Sequence, residues 1–236
     1  MKFLVLADSH INPSCPNVEE WEGLGKFVLD YKPDCIVHLG DLADLQSQAR
    51  YTSQRGLYTL GEEMECVAEH VHAFEDVLLK DRIQSRAMKK KQYKPRKVFC
   101  MGNHDVINNI TDVEEFMTDC GWEVHDYLEP VTIEGITFAH CMMKGLSEQP
   151  CTTAEELLQN WHSDVVVGHS HVQDYSESYN IGTDKRIHAI KCPSFNSYDT
   201  GWALQTRNKW ARGFLLLKTN PFEFMWKDIT CLQKIY

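Results

Sequence analysis

Short apolar runs punctuate the first 170 residues, and polar residues of one chemical kind follow each of them. Phe3–Ala7, Cys35–Leu39, Val98–Met101, Ile136–Ala139 and Val165–Val167 are brief and β-branched or aromatic in character. Length and composition together predict strands, since a buried helix needs ten or more residues. Between the first two runs, Val18, Trp21, Leu24, Val28 and Tyr31 recur at spacings of three and four. That period predicts an amphipathic helix, which Lys32-Pro33-Asp34 stops. Strand, helix and strand in this order predict a parallel pair joined by a right-handed crossover.

The stretch from 46 to 96 is longer than such a crossover needs and reads as a helical, partly basic insertion. Leu60, Met64, Val67, Val71, Phe74 and Leu78 form one apolar stripe, predicting a helix of about five turns packed on the chain's own sheet. His70 and His72 lie off that stripe and are expected at the surface; His38, inside a strand, is expected to be a hydrogen-bonded structural residue. Thr111 with Glu114, and Thr153 with Glu156, have the spacing of capping boxes before short helices. Segments at 122–124, 131–133, 136–138, 186–190, 213–218 and 222–226 read as further strands, with a tight turn at Glu134-Gly135. The order of elements predicts an α/β fold: a mixed two-sheet β-sandwich flanked by helices.

Composition narrows the class. With 236 residues and 43% hydrophobic content, the chain suits one core, hence a single domain over 1–236. No apolar run approaches the ~20 residues of a membrane helix. Asp8 also stands where the core of a secretory signal would continue, so a cytoplasmic protein with no membrane partner is expected. Nine cysteines, an odd number without C-x-x-C spacing, are expected to be reduced and packed as small hydrophobes. No G-x-x-x-x-G-K-[ST] loop occurs, which argues against a P-loop nucleotide-binding protein.

The chemistry follows the strands. Asp8-Ser9-His10, Gly40-Asp41, Gly102-Asn103-His104-Asp105, His140 and Gly168-His169-Ser170-His171 each begin where an apolar run ends. In open α/β sheets, ligands bind at the carboxyl ends of strands. Asp8, His10, Asp41, Asn103, His140, His169 and His171 offer carboxylate, amide and imidazole donors, the ligand types of first-row divalent metals. Asp8 and His10, read as alternating on an extended segment, point the same way. Asp41 is the natural bridge between two ions, and Asn103 adds a neutral oxygen.

Five such motifs in this order resemble the calcineurin-like metallophosphoesterases, and the resemblance covers residues 1 to about 190. Its nearest flavour is the compact prokaryotic and bacteriophage phosphoesterases and DNA-repair exonucleases, which would place the protein in a host cytoplasm if phage-encoded. The resemblance implies a four-layer αββα metallo-dependent phosphatase fold. It implies that Asp8, His10, Asp41 and His171 hold one metal, and that Asp41, Asn103, His140 and His169 hold the second. It also places His104 beside the scissile phosphate. Two cations, Mn²⁺ first and Fe, Zn or Ni as alternatives, would share a hydroxide that attacks a phosphate ester directly. His104 is then free to protonate the leaving oxygen. Asp105 either orients the His104 ring or caps its own loop.

Net charge is −10, which argues against a generic nucleic-acid coating protein, although net charge alone is a poor guide for an enzyme whose bound cations reverse the field in its pocket. Locally the picture differs: Lys80, Arg82, Arg86, Lys89, Lys90, Lys91, Lys94, Arg96 and Lys97 fall together with only Asp81 among them. The run is either a phosphate-binding surface for DNA or RNA, expected near the rim of the pocket, or a solvated helix end. Arg50 and Arg55 lie in the polar start of the insertion. In the polar stretch after Cys192, Arg207, Lys209 and Arg212 could meet a phosphate or simply be solvated. Trp202 and Trp210 offer rings for base stacking or for packing. The substrate class stays open between a nucleic acid, a small phosphodiester, a phosphomonoester and a phosphoprotein.

Overall fold

A computed structural model describes residues 1–14, 17–48, 57–109, 111–196 and 210–235. Strands β1 (Lys2–Leu6), β2 (Cys35–His38), β3 (Arg96–Cys100) and β4 (Glu123–His125) run parallel, with helix α1 (Val18–Tyr31) joining the first two. Helices α2 (Leu60–Ala87) and α3 (Asp112–Asp119) fill the later crossovers. Strands β5 (Val131–Ile133), β6 (Ile136–Ala139), β7 (Asp164–Val167), β8 (Asp174–Asn180) and β9 (Lys185–Lys191) build a second sheet, and α4 (Ala154–Asn160) precedes β7. The chain then returns through β10 (Gly213–Thr219) and β11 (Phe222–Asp228) to the first sheet, and ends in α5 (Thr230–Ile235). Sheet orders are β11-β10-β1-β2-β3-β4 and β5-β6-β7-β9-β8.

The side-chain period of two explains the layering. On β1, Phe3 and Val5 point into the space between the sheets with Val37, Val98, Phe138 and Val166, while Leu4 and Leu6 meet the helices. There Trp21, Leu24 and Val28 of α1 and Val67, Val71, Phe74 and Leu78 of α2 complete the outer core. Each of these buried side chains contributes about 1.5–3 kcal/mol. On the far side Ala154, Leu157 and Leu158 of α4 cover Val165, Val167 and Ala189. The result is the expected four-layer αββα sandwich.

Several local expectations change. Helix α2 is 28 residues long, well beyond five turns, because Thr59 and Glu62 form a full capping box and the helix continues through Arg86. Thr111 makes no cap; its hydroxyl goes to Glu115 instead. Thr153 accepts from the Glu156 N–H, but the Glu156 side chain turns to Thr152 and Lys144, so only half of that box exists. Glu134 and Gly135 both have positive φ, 52° and 82°, which makes the β5–β6 turn type I′. His70 is not at the surface. At 2% exposure it donates from Nδ1 to the Cys66 carbonyl (2.7 Å) and accepts at Nε2 from the Asn17 N–H (3.0 Å), tying α2 to the start of α1. His72 is exposed, as expected. Strand β8 escaped the sequence pattern because Asp174-Tyr-Ser-Glu-Ser-Tyr-Asn is polar; as an edge strand it has little to bury. Among the described residues eight cysteines carry free thiols, and no helix is long and apolar enough to cross a membrane. Cys15, Arg50, Arg55, Trp202, Arg207 and Lys209 lie outside the described residues.

Candidate metal centre

The register of the sheets brings the five motifs together. β1, β2 and β3 are parallel, as are β6 and β7, so the loops after all five leave from one edge of the sandwich. Backbone bonds then lace these loops: the Asp8 N–H donates to the Gly40 carbonyl (3.0 Å), the His10 N–H to the Asp41 carbonyl (3.0 Å) and the Gly168 N–H to the His140 carbonyl (2.9 Å). Side chains cross-link them further. Asp8 Oδ1 accepts from the His169 N–H (3.0 Å) and Asp41 Oδ1 from the His104 N–H (2.8 Å). The glycines are dictated by crowding: a Cβ on Gly102 would meet Asp41 Oδ1 at 2.2 Å, and one on Gly168 would meet Ala7 Cβ at 2.8 Å.

Asp8 and His10 are not on an extended segment as read from their alternation. The strand ends at Leu6, and Asp8, His10, Asp41, His169 and His171 all take left-handed backbone conformations, with φ of 53°, 45°, 50°, 70° and 58°. Each costs about 1–2 kcal/mol for a residue with a Cβ. Five such residues among seven donors mark a site at which geometry is held against local preference.

Three constellations of donor atoms each lie within 4.8 Å: Asp8, His10 and His171; Asp41, His140 and His169; and His10, Asp41 and His104. Asn103 joins the second, its Oδ1 3.0 Å from His140 Nε2. All seven predicted donors are therefore in one place. They fit divalent cations on an internal criterion. His140 Nδ1 gives its proton to the Leu39 carbonyl (2.7 Å), so Nε2 keeps a lone pair. That lone pair faces Asn103 Oδ1 at 3.0 Å, His169 Nδ1 at 3.1 Å and Asp41 Oδ2 at 3.4 Å. The Nε2 lone pair and the oxygens of Asn103 and Asp41, turned on one another in a buried place, need a positive charge between them. Asp8 Oδ2 is buried with no hydrogen-bond partner, and among the described residues no Lys or Arg pairs with Asp8 or Asp41.

Electrostatics agree. Burial, and then the charge of Asp41, lift the Asp8 carboxyl well above the ordinary carboxylate value. Burial would raise Asp41 too, but His140, His104 and His10 together hold it below that value. Burial lowers His140, and pushes His169 down to about 4 and His171 to about 2, keeping these rings in the neutral form that metals bind. His104 goes the other way. Burial opposes its charge, but Asp41, the Asp44 carbonyl and the Asp44 carboxylate raise it. Its side chain is also more open, at 22% exposure, than those of Asp8, His10, Asp41, His140 and His171, at 0–5%; Asn103 and His169 are half-buried like it.

The geometry decides between the two readings of Asp105 and brings in Asp44. Asp105 does not serve as the carboxylate of the His104 ring. Its Oδ2 accepts from the N–H groups of Asp41 (2.8 Å) and Gly102 (2.8 Å), and its Oδ1 from Leu42 (3.0 Å) and Ala43 (3.4 Å). It is the clamp that curls the Asp41 loop, the second of its two readings. The His104 ring instead donates from Nδ1 to the Asp44 carbonyl (2.9 Å), with Asp44 Oδ1 at 3.6 Å. Asp44 Oδ1 also lies 3.4 Å from His10 Nδ1, so one buried carboxylate sets its charge beside two rings. Sequence reading missed Asp44; its signal was a second aspartate three residues after Asp41, in Gly40-Asp41-Leu42-Ala43-Asp44. His38 keeps its structural role: Nδ1 accepts from the Gly40 N–H (3.1 Å), so Nε2 carries the proton that meets Ser9 Oγ (2.9 Å). Trp210 lies against His171, ring centroids 4.2 Å apart.

The basic run is not at the rim. Residues 96 and 97 pair with Cys35 and Ile36, at the opposite ends of the strands from Asp41 and Asn103, because β3 itself carries the chain back to the site.

The comparisons bear on this geometry. The family model for the calcineurin-like phosphoesterases matches residues 1–196. The chain is similar in structure to YfcE, a phosphoesterase from E. coli, with 14% identity and a TM-score of 0.47, over 100% of this chain and 97% of that one. It is also similar to the nuclease MPE of Pseudomonas putida, with 16% identity and a TM-score of 0.40, over 94% and 87% of the two chains. No curated protein sequence matches. With the family model spanning the five motifs whose side chains converge here, the chain belongs to the calcineurin-like phosphoesterases.

Proposed function

We propose that the chain is a dinuclear metal-dependent phosphodiesterase, with nucleic acid as its leading substrate and His104 as general acid. The observation that carries this is the pairing of two buried acceptor clusters with one accessible, proton-bearing imidazole between them. Asp8, His10, Asp41 and His171 would hold one cation, and Asp41, Asn103, His140 and His169 the other. Asp41, whose Oδ2 lies 3.8 Å from His10 Nε2 of the first set and 3.4 Å from His140 Nε2 of the second, would bridge them. When bound, two such cations neutralise phosphoryl oxygens and lower the pKa of an attacking water. Mn²⁺ suits this mixture of carboxylate, amide and imidazole, with Fe, Zn and Ni as alternatives.

The chain's own residues supply the rest. With Nδ1 committed to the Asp44 carbonyl, Nε2 of His104 would pass its proton to the departing oxygen, and the charges of Asp41 and Asp44 raise the pKa of the ring. Asp44 holds the ring and stabilises its charged form. Asp105 fixes the backbone at Asp41, so that ligand and acid keep a constant separation. A small phosphodiester, a phosphomonoester and a phosphoprotein are the competing substrates.

Metal analysis after loading with Mn²⁺ should approach two ions per chain, and Asp41→Asn should lose both the second ion and nearly all turnover. A panel of DNA, RNA, cyclic nucleotides, simple esters and a phosphopeptide then ranks the substrates. One ion per chain at saturation would overturn the dinuclear reading.

A further inference from the structure

We infer that the edge of the first sheet opposite the metal centre is a second, non-catalytic binding surface for a nucleic-acid backbone. The inference deepens the phosphodiesterase reading and rests on it for the chemistry. The last two turns of α2 and the following turn expose Lys80, Arg86, Lys89, Lys90, Lys91 and Lys94, with Arg82 half-buried. Among the described residues none of these seven forms an ion pair. The two cations that follow them do: Arg96 forks onto Glu123 (2.7–3.0 Å) and Lys97 meets Glu75 (2.6 Å). Exposed Lys32 extends the surface, its Nζ 4.9 Å from the Tyr93 ring. The dipole at the end of α2 accounts for little of this. It favours cations within the last turn, where only Arg86 lies.

Seven cations against one carboxylate, Asp81, in fifteen residues repel one another, in a chain whose formal charge is −10. A polyanion with a charge every few ångströms can neutralise several of them at once, and counterion release then drives binding. Leu79, Ile83 and Met88 are also exposed, at 45%, 60% and 53%, which raises an anionic membrane as the competing partner. Leu79 and Ile83 share one helix face, but Glu75 and Asp76 occupy the turn before them, so these side chains do not form the continuous apolar face with a basic border that an interfacial helix buries.

The placement has a length scale. Glu63, near the start of α2, holds Ser47 of the loop that carries Asp44, and Arg86 lies at the other end of the helix. At 1.5 Å per residue these positions are about 35 Å apart. That is about one turn of B-DNA, so a duplex shorter than about 10 base pairs cannot reach both the surface and the site.

The experiment compares the wild-type holoenzyme with a variant carrying Lys89→Gln, Lys90→Gln and Lys91→Gln. Binding of labelled 8- and 30-base-pair DNA is measured across a salt series, on a His104→Ala background to prevent cleavage. Hydrolysis of a chromogenic diester is measured with His104 intact. The triple variant should bind the 30-mer at least 10-fold more weakly at low salt. Its log-affinity against log-salt slope should be shallower by about 2–3, while its small-diester rate stays unchanged. The 8-mer should show little of the loss. An unchanged slope for the 30-mer, or binding of phosphatidylserine vesicles in place of DNA, would overturn the inference. A wild type that binds DNA through these lysines yet hydrolyses no phosphodiester would instead sink the enzymatic reading and leave the surface standing.

Discussion

Asp105→Ala separates a clamp from a catalytic orienter. The wild-type carboxylate is fully buried and satisfies four backbone N–H groups, those of Asp41, Leu42, Ala43 and Gly102. An orphaned buried donor costs about 1–3 kcal/mol, and water entering the vacated space recovers part of that. The net loss should therefore be about 3–5 kcal/mol, in the upper tail for single substitutions. For a domain of this size each kcal/mol moves Tm by about 2–4 °C, so the melting temperature should fall by about 6–20 °C. Calorimetry of the Mn²⁺-loaded protein measures this directly. Asp105→Asn keeps one acceptor oxygen and should lose about half as much. Because the Asp41 N–H is among the freed groups, Mn²⁺ affinity should fall in parallel. A variant with normal Tm and metal content, but with turnover lost only on substrates with poor leaving groups, would refute the clamp and return Asp105 to the His104 ring.

Three further outcomes follow from the same geometry. His104→Ala should keep both metals yet slow a poor-leaving-group ester by about 10²–10⁴-fold, sparing an activated aryl ester; equal slowing of both, read in steady-state kinetics, would make His104 a ligand or a positioning group. Asp44→Asn removes a charge that raises the His104 pKa, and activity that needs protonated His104 is lost as pH rises through that pKa, so the alkaline limb of the pH–rate profile should move to lower pH. Gly102→Ala places a Cβ 2.2 Å from Asp41 Oδ1 and should displace the carboxylate, reducing metal stoichiometry; a variant that still carries a full complement of metal would show that the loop can yield.

The sequence by itself determined most of the strands, the polar edge strand β8 excepted, together with the order of the motifs and the candidate donors. These are local properties: a run such as Phe3–Ala7 has one residue type and one period, and Gly40-Asp41 or Gly168-His169-Ser170-His171 has one plausible chemistry at a strand end. The order of such runs predicted two sheets flanked by helices, and the family resemblance implied the four layers. Tertiary structure alone decided which donors meet. His140 is placed against Asn103 and His169 by the pairing of β6 with β7 and by the packing of one sheet on the other, neither of which any local window contains. It also decided between the two readings of Asp105, since the four N–H groups that it accepts become a cluster only when the Asp41 loop curls over Gly102. Asp44 gained its role the same way, through left-handed turns at Asp41 and Leu45 that no propensity favours. His70 looked exposed because helical phase fixes only the helix's own stripe, whereas α1 brought a second wall against its flank. The basic run kept its charge in either view, but its distance from the site came from the direction of β3: parallel strands put their starts at one edge of the sheet and their ends at the other.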